Sequence, residues 1–568
     1  GTVYHYTRDS EGRILTKSAW GKTLYETSYG ADGKPSGIVA QGVRTDYTYD
    51  AAGRLKKLVS DNGLSVQYRY DRNGMQTQML YGNGLVTAYT YDSRSRLTGM
   101  RSGFPGRTPL FDASYTYDAS GNRTGRQESF LHRPDNCQET LTTKYGYDSM
   151  NRLVSENCGD SRISYKYDLS GNRISRVTDG RTENYLYNSR NQLTQLTGDD
   201  KNISYTYDPA GNLTEEHSTE HKKIYFYDTY NRNTEITGND FTQKNHYDAE
   251  GYRYSIEEND KVTNFVYRCG IMLAELDEAG NQAKTYTLGN EYAGYVSELN
   301  NSLTSENKAA SYYITDEQGS IRYMLDQSGE VQNYYQYSAF GETIISEETT
   351  PNRLRYNAQT EDELTGLYYL RARYYAPDIG RFTQEDVIYN DGLNLYAYCN
   401  SNPVMYSDPS GFAKETCKSK VGGECGSESG SDSVKNWKGQ EVKVPAGHIM
   451  SPRDPSFSAK PITEAGPYTL AQRDAFLAGN SAGTKLAPHH RHQIPVRDGG
   501  VIDELPGPGH PSGNQHTAGS PSRHPAKSIF NSERSGNVLR ANEITQHWID
   551  KGNRLIEVEP GVWIDPGF

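Results

Sequence analysis

A short motif, Tyr-x-Tyr followed by Asp or Asn, recurs through the first half of this 568-residue chain and constrains its fold more than any other feature. It reads Tyr47-Thr-Tyr49-Asp50, Tyr68-Arg-Tyr70-Asp71, Tyr89-Thr-Tyr91-Asp92, Tyr115-Thr-Tyr117-Asp118, and so on to Tyr225-Phe-Tyr227-Asp228. From Asp148 the last position falls into register at Asp168, Asn188, Asp208, Asp228 and Asp248, each 20 residues after the one before. Tyrosines at i and i+2 share one face of a strand, and Asp-x-x-Gly/Asn has the composition of a tight turn. Each unit therefore predicts a β-hairpin. An isolated hairpin is barely stable in water, so successive units must pair edge to edge into a continuous sheet, with tyrosine ladders between strands and hydroxyls left for solvent. An open all-β solenoid serving as a spacer or adhesin satisfies the same pattern.

Composition sharpens this reading. The chain holds 47 Tyr against 13 Phe and is only 34% hydrophobic, so it packs with aromatic hydroxyls rather than aliphatic layers. A net charge of -12 argues against a nucleic-acid binder acting through the whole chain, since phosphate-binding surfaces need clustered Lys and Arg. No apolar run approaches a membrane span. The start at Gly1, inside a repeat and without Met, suggests a processed or truncated product. Six scattered cysteines lack a CxxC pair. Only Cys417 and Cys425 stand close enough in sequence to suggest pairing, and free thiols are the expectation.

From about Tyr312 the repeats give way to a denser segment. It contains Gly366-Leu-Tyr-Tyr-Leu-Arg-Ala-Arg373-Tyr-Tyr-Ala-Pro377, Gly380-Arg-Phe382, Asn394-Leu-Tyr-Ala-Tyr398, Asn402-Pro403 and Asp408-Pro-Ser-Gly-Phe412. On these motifs residues 1–412 resemble the Rhs/YD-repeat family of polymorphic toxins, including the C component of insecticidal Tc toxins. The resemblance implies a mainly β fold, in which hairpins spiral into a hollow cocoon over residues 1–311 and residues 312–412 close one end around a toxin. It also implies self-cleavage by two aspartates, Asp386 and Asp408, with Arg373 in support and the Phe412–Ala413 bond as target. Two carboxylates held close cannot both ionise cheaply, so one can polarise the carbonyl while the other activates water. Arg373 could keep one carboxylate ionised or stabilise the oxyanion. Val387 and Tyr389 replace the family's Pro and Gly after the first aspartate, and Glu385 next door is a competing carboxylate. Asp386 and Asp408 could instead simply cap turns.

Beyond Phe412 the chain changes character. Only one tyrosine, Tyr468, remains, three of the four tryptophans appear (Trp437, Trp548, Trp563), and eight of the 13 histidines fall here. Residues 413–436 read as a flexible leader and 437–568 as a small α+β toxin domain. Short helices are expected at Thr469–Ala478 and Glu543–Lys551, and a hairpin at Leu555–Ile564. Between them lie His489-His490-Arg491-His492-Gln-Ile-Pro495, then Gly499-Gly500, Asn514, His516 and Ser520-Pro-Ser-Arg523-His524. This order resembles the HNH (ββα-metal, or His-Me finger) nucleases of colicin type. The resemblance implies a base at His492 or His490, oriented by Asn514. It also implies a divalent metal (Mg2+, Zn2+ or Ni2+) on His524 with His516 or His490, and phosphate contacts from Arg523 and Lys527. The expected role is a toxin delivered into the cytoplasm of a competitor or host cell, self-released and cleaving nucleic acid, DNA in preference to RNA. Its implied partners are a cognate immunity protein and a secretion apparatus or carrier that engages an N-terminal region. Two alternatives are a metal-independent ribonuclease working through histidine pairs and a non-enzymatic adhesion protein.

Overall fold

The turn chemistry of the repeat explains how the chain folds. Asp50 shows the pattern: its Oδ1 accepts the N–H groups of Ala52 and Arg54, each at 2.9 Å, and its Oδ2 accepts Arg54 Nε at 2.7 Å. The same set recurs at Asp92, Asp148 and Asp228. The third residue after the Asp is left-handed, as Gly53 (φ 76°) or as Asn151 (φ 60°), and the register then slips by one between Thr48 and Tyr49. This is a tight turn closed by a one-residue bulge, a geometry that matches the twist of the flanking strands. The Arg54 hydrogen bond, with the backbone donors, holds the Asp50 carboxyl below its ordinary range.

The computed structural model describes residues 3–416 except 62, 132–136, 200, 299–307 and 388–393. Beyond 416 it describes only the strands Ser433–Lys435, Glu441–Lys443, Tyr468–Thr469, Leu486–His490, Ile502–Pro506, Ile556–Glu559 and Val562–Ile564. The chain divides into two compact units, Gly1–Glu424 and Cys425–Phe568. In the first, 32 strands from Tyr4–Arg8 to Thr343–Glu348 form one sheet. Each strand pairs antiparallel with its sequence neighbour, so the expected hairpin array is present. It winds as a spiral, because strands far apart in sequence meet: Lys17 binds Asp248 at 2.8 Å, and the Tyr81 hydroxyl donates to the Tyr313 carbonyl at 3.1 Å. The sheet runs on past residue 312. The change of architecture follows Glu348, where a separate four-stranded sheet forms from Thr360–Glu361, Tyr368–Tyr369, Tyr374–Ala376 and Arg381–Phe382.

Two expectations need correction. The motif hydroxyls are not simply left for water: Tyr70, Tyr117, Tyr147 and Tyr167 each donate at 2.7 Å to a backbone carbonyl of the preceding repeat, at Leu55, Leu97, Arg123 and Leu153. Three of these rings lie under turn arginines, with Arg54 4.6 Å from the Tyr70 centroid, Arg96 4.8 Å from that of Tyr117 and Arg152 4.9 Å from that of Tyr167. The first tyrosine of the motif is the one buried in the core, as at Tyr68, Tyr165 and Tyr225. Second, Cys269, read as a thiol, is disulfide-bonded. Cysteine spacing could not show this, since a bond of this kind follows tertiary proximity and not separation along the chain.

In the second unit the expected hairpin near the C-terminus is present, with Ile556–Glu559 antiparallel to Val562–Ile564. Tyr468–Thr469 is a strand paired with Val562–Trp563, which displaces the expected helix start at Thr469. The rest of that helix, and the one at Glu543–Lys551, lie outside the described residues. Among the described residues no helix is long and apolar enough to cross a membrane.

Candidate functional site

Three polar side chains from separate stretches of the closing segment converge in a buried spot. Arg373 immediately precedes the strand Tyr374–Ala376, Asp386 follows the strand Arg381–Phe382, and Asp408 follows the strand Tyr406–Ser407. Their exposures are 5%, 6% and 3%. The two aspartates share one nitrogen: Arg373 Nη2 lies 2.7 Å from Asp386 Oδ2 and 3.6 Å from Asp408 Oδ2. The guanidinium is clamped by Phe382, whose ring centroid is 3.6 Å away, by the Leu395 carbonyl at 2.9 Å and by the Gly411 carbonyl. A charge buried this deeply is tolerated only when paired and fully hydrogen-bonded.

The loop after Asp408 carries the candidate bond. Tyr406–Ser407 pairs with Glu415–Thr416, so Phe412–Ala413 lies in the loop between them. Asp408 Oδ1 gathers the N–H groups of Gly411 at 2.8 Å, Phe412 at 3.2 Å and Ala413 at 3.3 Å, with the Ser410 hydroxyl at 3.2 Å. Asp408 is therefore a turn cap and, at the same time, a partner of Arg373. The contact with Ala413 matters chemically, because that nitrogen is the leaving atom if the Phe412–Ala413 bond breaks. In this contact the amide donates to Asp408 Oδ1, so the carboxyl hands that nitrogen a proton only when it is itself protonated. Gly411 is left-handed (φ 75°), and a Cβ there would fall 2.5 Å from the Leu370 carbonyl, so the loop docks on residues 370–373 only with glycine.

Glu385, the competing carboxylate, points elsewhere: it pairs with Arg190 at 2.9 Å. Sequence reading missed Arg371 and Ser410. Arg371 binds the Pro409 carbonyl as Arg373 binds that of Gly411, so two arginines two residues apart grip two carbonyls two residues apart. The alternation Arg-x-Arg was the available signal.

Of the nuclease residues, His490 ends the strand Leu486–His490, opposite Ile502 in the paired strand Ile502–Pro506. His492, Asn514, His516, Arg523, His524 and Lys527 lie outside the described residues. Among the described residues no cluster of His, Cys, Asp or Glu could hold a metal ion.

Comparison with known proteins places these features. The Teneurin YD-shell family model matches residues 106–404, more than half of the chain, and an RHS Repeat model matches 49–85. The tRNA3(Ser)-specific nuclease WapA of Bacillus spizizenii is 38% identical over 175 residues, 29% of this chain and 7% of that protein. The double-stranded DNA deaminase toxin A of Burkholderia cenocepacia is 38% identical over 108 residues, 18% of this chain and 8% of that one. These relatives are thus matched over only a small part of their length. The Photorhabdus luminescens Tc holotoxin pore aligns with a TM-score of 0.55 at 20% identity, covering 71% of this chain and 23% of that chain, a likeness of fold.

Proposed function

This chain belongs to the Teneurin YD-shell family, and on that footing we propose that its repeat unit is the carrier of a toxin that it frees by cutting itself after Phe412. The observation that carries this reading is the convergence of Asp386 and Asp408 on Arg373, with Asp408 against the Ala413 amide. Asp386, kept beside the guanidinium, takes a proton from the water that attacks the Phe412 carbonyl, and Asp408, entering in its protonated form, passes its proton to the Ala413 nitrogen as the Phe412–Ala413 bond breaks. Arg373 balances whichever carboxylate is charged. Names of relatives such as nuclease WapA and a DNA deaminase toxin support a toxic cargo acting on nucleic acid. Intact mass measurement on the purified full chain tests the cut: wild type yields fragments ending at Phe412 and starting at Ala413, whereas Asp408→Ala stays whole. A mutant still split at Phe412 would sink the assignment.

For the cargo, the reading is a metal-dependent HNH-like nuclease, in which His492 or His490 activates water, Asn514 orients it, and His524 with His516 or His490 would hold the ion. That ion would stabilise the scissile phosphate and leaving oxygen. Delivery to a target cell, protection of the producer by an immunity protein and engagement of a secretion apparatus complete the proposal. The name of the tRNA nuclease relative favours one alternative, RNA cleavage by histidine acid–base chemistry without metal. Plasmid and tRNA substrates, each with magnesium and with excess EDTA, separate the two. Plasmid nicking that needs the metal supports the first, and tRNA loss that survives EDTA supports the second.

A further inference from the structure

The segment bearing Asp386 lies along a row of turn ends supplied by successive repeats. Asn402 Nδ2 donates to the Asn151 carbonyl at 2.8 Å, Arg381 Nη2 to that of Asn191 at 2.5 Å, and the Gln384 amide to that of Asn231. The Gly211 carbonyl receives two donors, the Glu385 N–H at 3.3 Å and the Tyr396 hydroxyl at 2.8 Å. All four acceptors are left-handed residues at the same turn position, with φ of 60°, 60°, 59° and 88° for Asn151, Asn191, Asn231 and Gly211.

Two kinds of step alternate along the row. In one, an Asn placed after the left-handed residue bonds the left-handed Asn of the next turn: Asn122 with Asn151 at 2.8 Å, Asn172 with Asn191 at 2.8 Å, and Asn212 with Asn231 at 3.1 Å. In the other, the next left-handed residue is a glycine, and Arg152 before Gly171 and Arg232 before Gly251 bond the Asp168 and Asp248 carbonyls instead. At the third step of this second kind Gln192 stands in place of the arginine, before Gly211. Gln192 turns to the Tyr396 hydroxyl at 3.1 Å, and that hydroxyl closes on the Gly211 carbonyl. Left-handed geometry alone does not demand glycine here, because Asn serves in the neighbouring turns. Space does: a Cβ at Gly211 would fall 2.5 Å from Glu385 Oε2, 2.7 Å from Glu385 Cβ and 2.8 Å from the Tyr396 hydroxyl. The equivalent glycines Gly121, Gly171 and Gly251 meet nothing within 4 Å.

We propose that Gly211, in the wall of the shell, is a positioning residue for self-cleavage. Its bare backbone lets the Glu385–Asp386 peptide settle at the depth that brings Asp386 to Arg373. The inference rests on the autoproteolytic reading above. Any side chain at 211 lifts Glu385, and Asp386, one bond further on, leaves its 2.7 Å contact with the guanidinium.

The test follows self-cleavage of pulse-labelled full-length chain over time and pH, with intact mass confirming the cut site. Gly211→Ala is compared with Gly171→Ala, which imposes the same left-handed strain without touching the closing segment. Gly171→Ala should cut like wild type. Gly211→Ala should cut about tenfold or more slowly, the loss expected from misplacing a reacting group by roughly 1 Å. Its pH profile should also move, because the ionisation of the pair depends on its distance from Arg373. If Gly211→Ala does not fold, Tyr396→Phe removes the hydroxyl that links Gly211, Gln192 and Glu385 while keeping the ring, and should also slow cutting. Equal rates and pH profiles for the two glycine variants, or an unaltered Tyr396→Phe, overturn the proposal. A wild-type chain that never cuts overturns the autoproteolytic reading itself and takes this one with it.

Discussion

Arg253 and Asp362 are completely buried and joined by two contacts, Nη1 to Oδ2 at 2.5 Å and Nη2 to Oδ1 at 2.7 Å. The guanidinium also donates to the Tyr374 hydroxyl at 2.8 Å and lies 4.5 Å from the Tyr369 centroid. This pair ties the repeat wall to the closing segment. Asp362→Ala strands a charge in the interior and should cost about 3–5 kcal/mol, read as a lower urea midpoint of the intact shell. Glu156 works with the opposite sign. Burial, aided by Glu342 and opposed by the N–H of Ala339, pushes its carboxyl up to about 7. A carboxyl whose folded value lies above its unfolded one stabilises the fold only while protonated. That contribution is complete below about 4.5 and lost as pH rises through 7. Glu156→Gln, neutral throughout, should therefore stabilise the shell at pH 8 by roughly 1–3 kcal/mol and change little at pH 4.5. Equal urea midpoints for the two proteins at pH 8 would contradict this.

At the scale of the hairpin, stability passes from one repeat to the next through two links, the tyrosine hydroxyl on a carbonyl and the turn arginine on a ring. In Tyr167→Phe the ring stays under Arg152, while the hydroxyl's 2.7 Å bond to Leu153 and its side-chain contact with Ser401 are lost. The expected cost is about 0.5–1.5 kcal/mol. Asp148→Ala removes three acceptor contacts from its turn and a charge partner of Arg152, so its cost should be larger, about 1–2 kcal/mol. Amide exchange should show this loss concentrated in the strands Gln138–Tyr147 and Leu153–Cys158, with distant repeats little affected. Uniform loss across the sheet would contradict the nearest-neighbour picture.

For the whole molecule, the spiral brings a wall turn at Gly211 to the segment of Asp386, and a loop at residues 408–413 to Arg373. Asp386→Asn keeps the size and most hydrogen bonds of the carboxylate but removes its charge. It should abolish cutting after Phe412 while leaving the thermal midpoint within a few degrees of Asp408→Ala; a mutant that cuts at the wild-type rate would remove Asp386 from the mechanism. Hairpins, their order and the turn residues were legible in the chain, because period-2 tyrosines and Asp-x-x-Gly/Asn act through neighbours a few residues apart. Arg373, Asp386 and Asp408 were legible as motifs, but their convergence was not, since nothing local relates positions 13 and 22 residues apart that flank three different short strands. Local chemistry along the chain sets the repeating unit and the candidate carboxylates. Which carboxylate meets Arg373, why Glu385 does not, where the tyrosine hydroxyls bond and that Cys269 is oxidised emerge from the folded spiral alone. The physical reason is range: hydrogen bonds within a turn are fixed by a few torsions, whereas contacts between turns of a spiral depend on the summed twist of every strand between them.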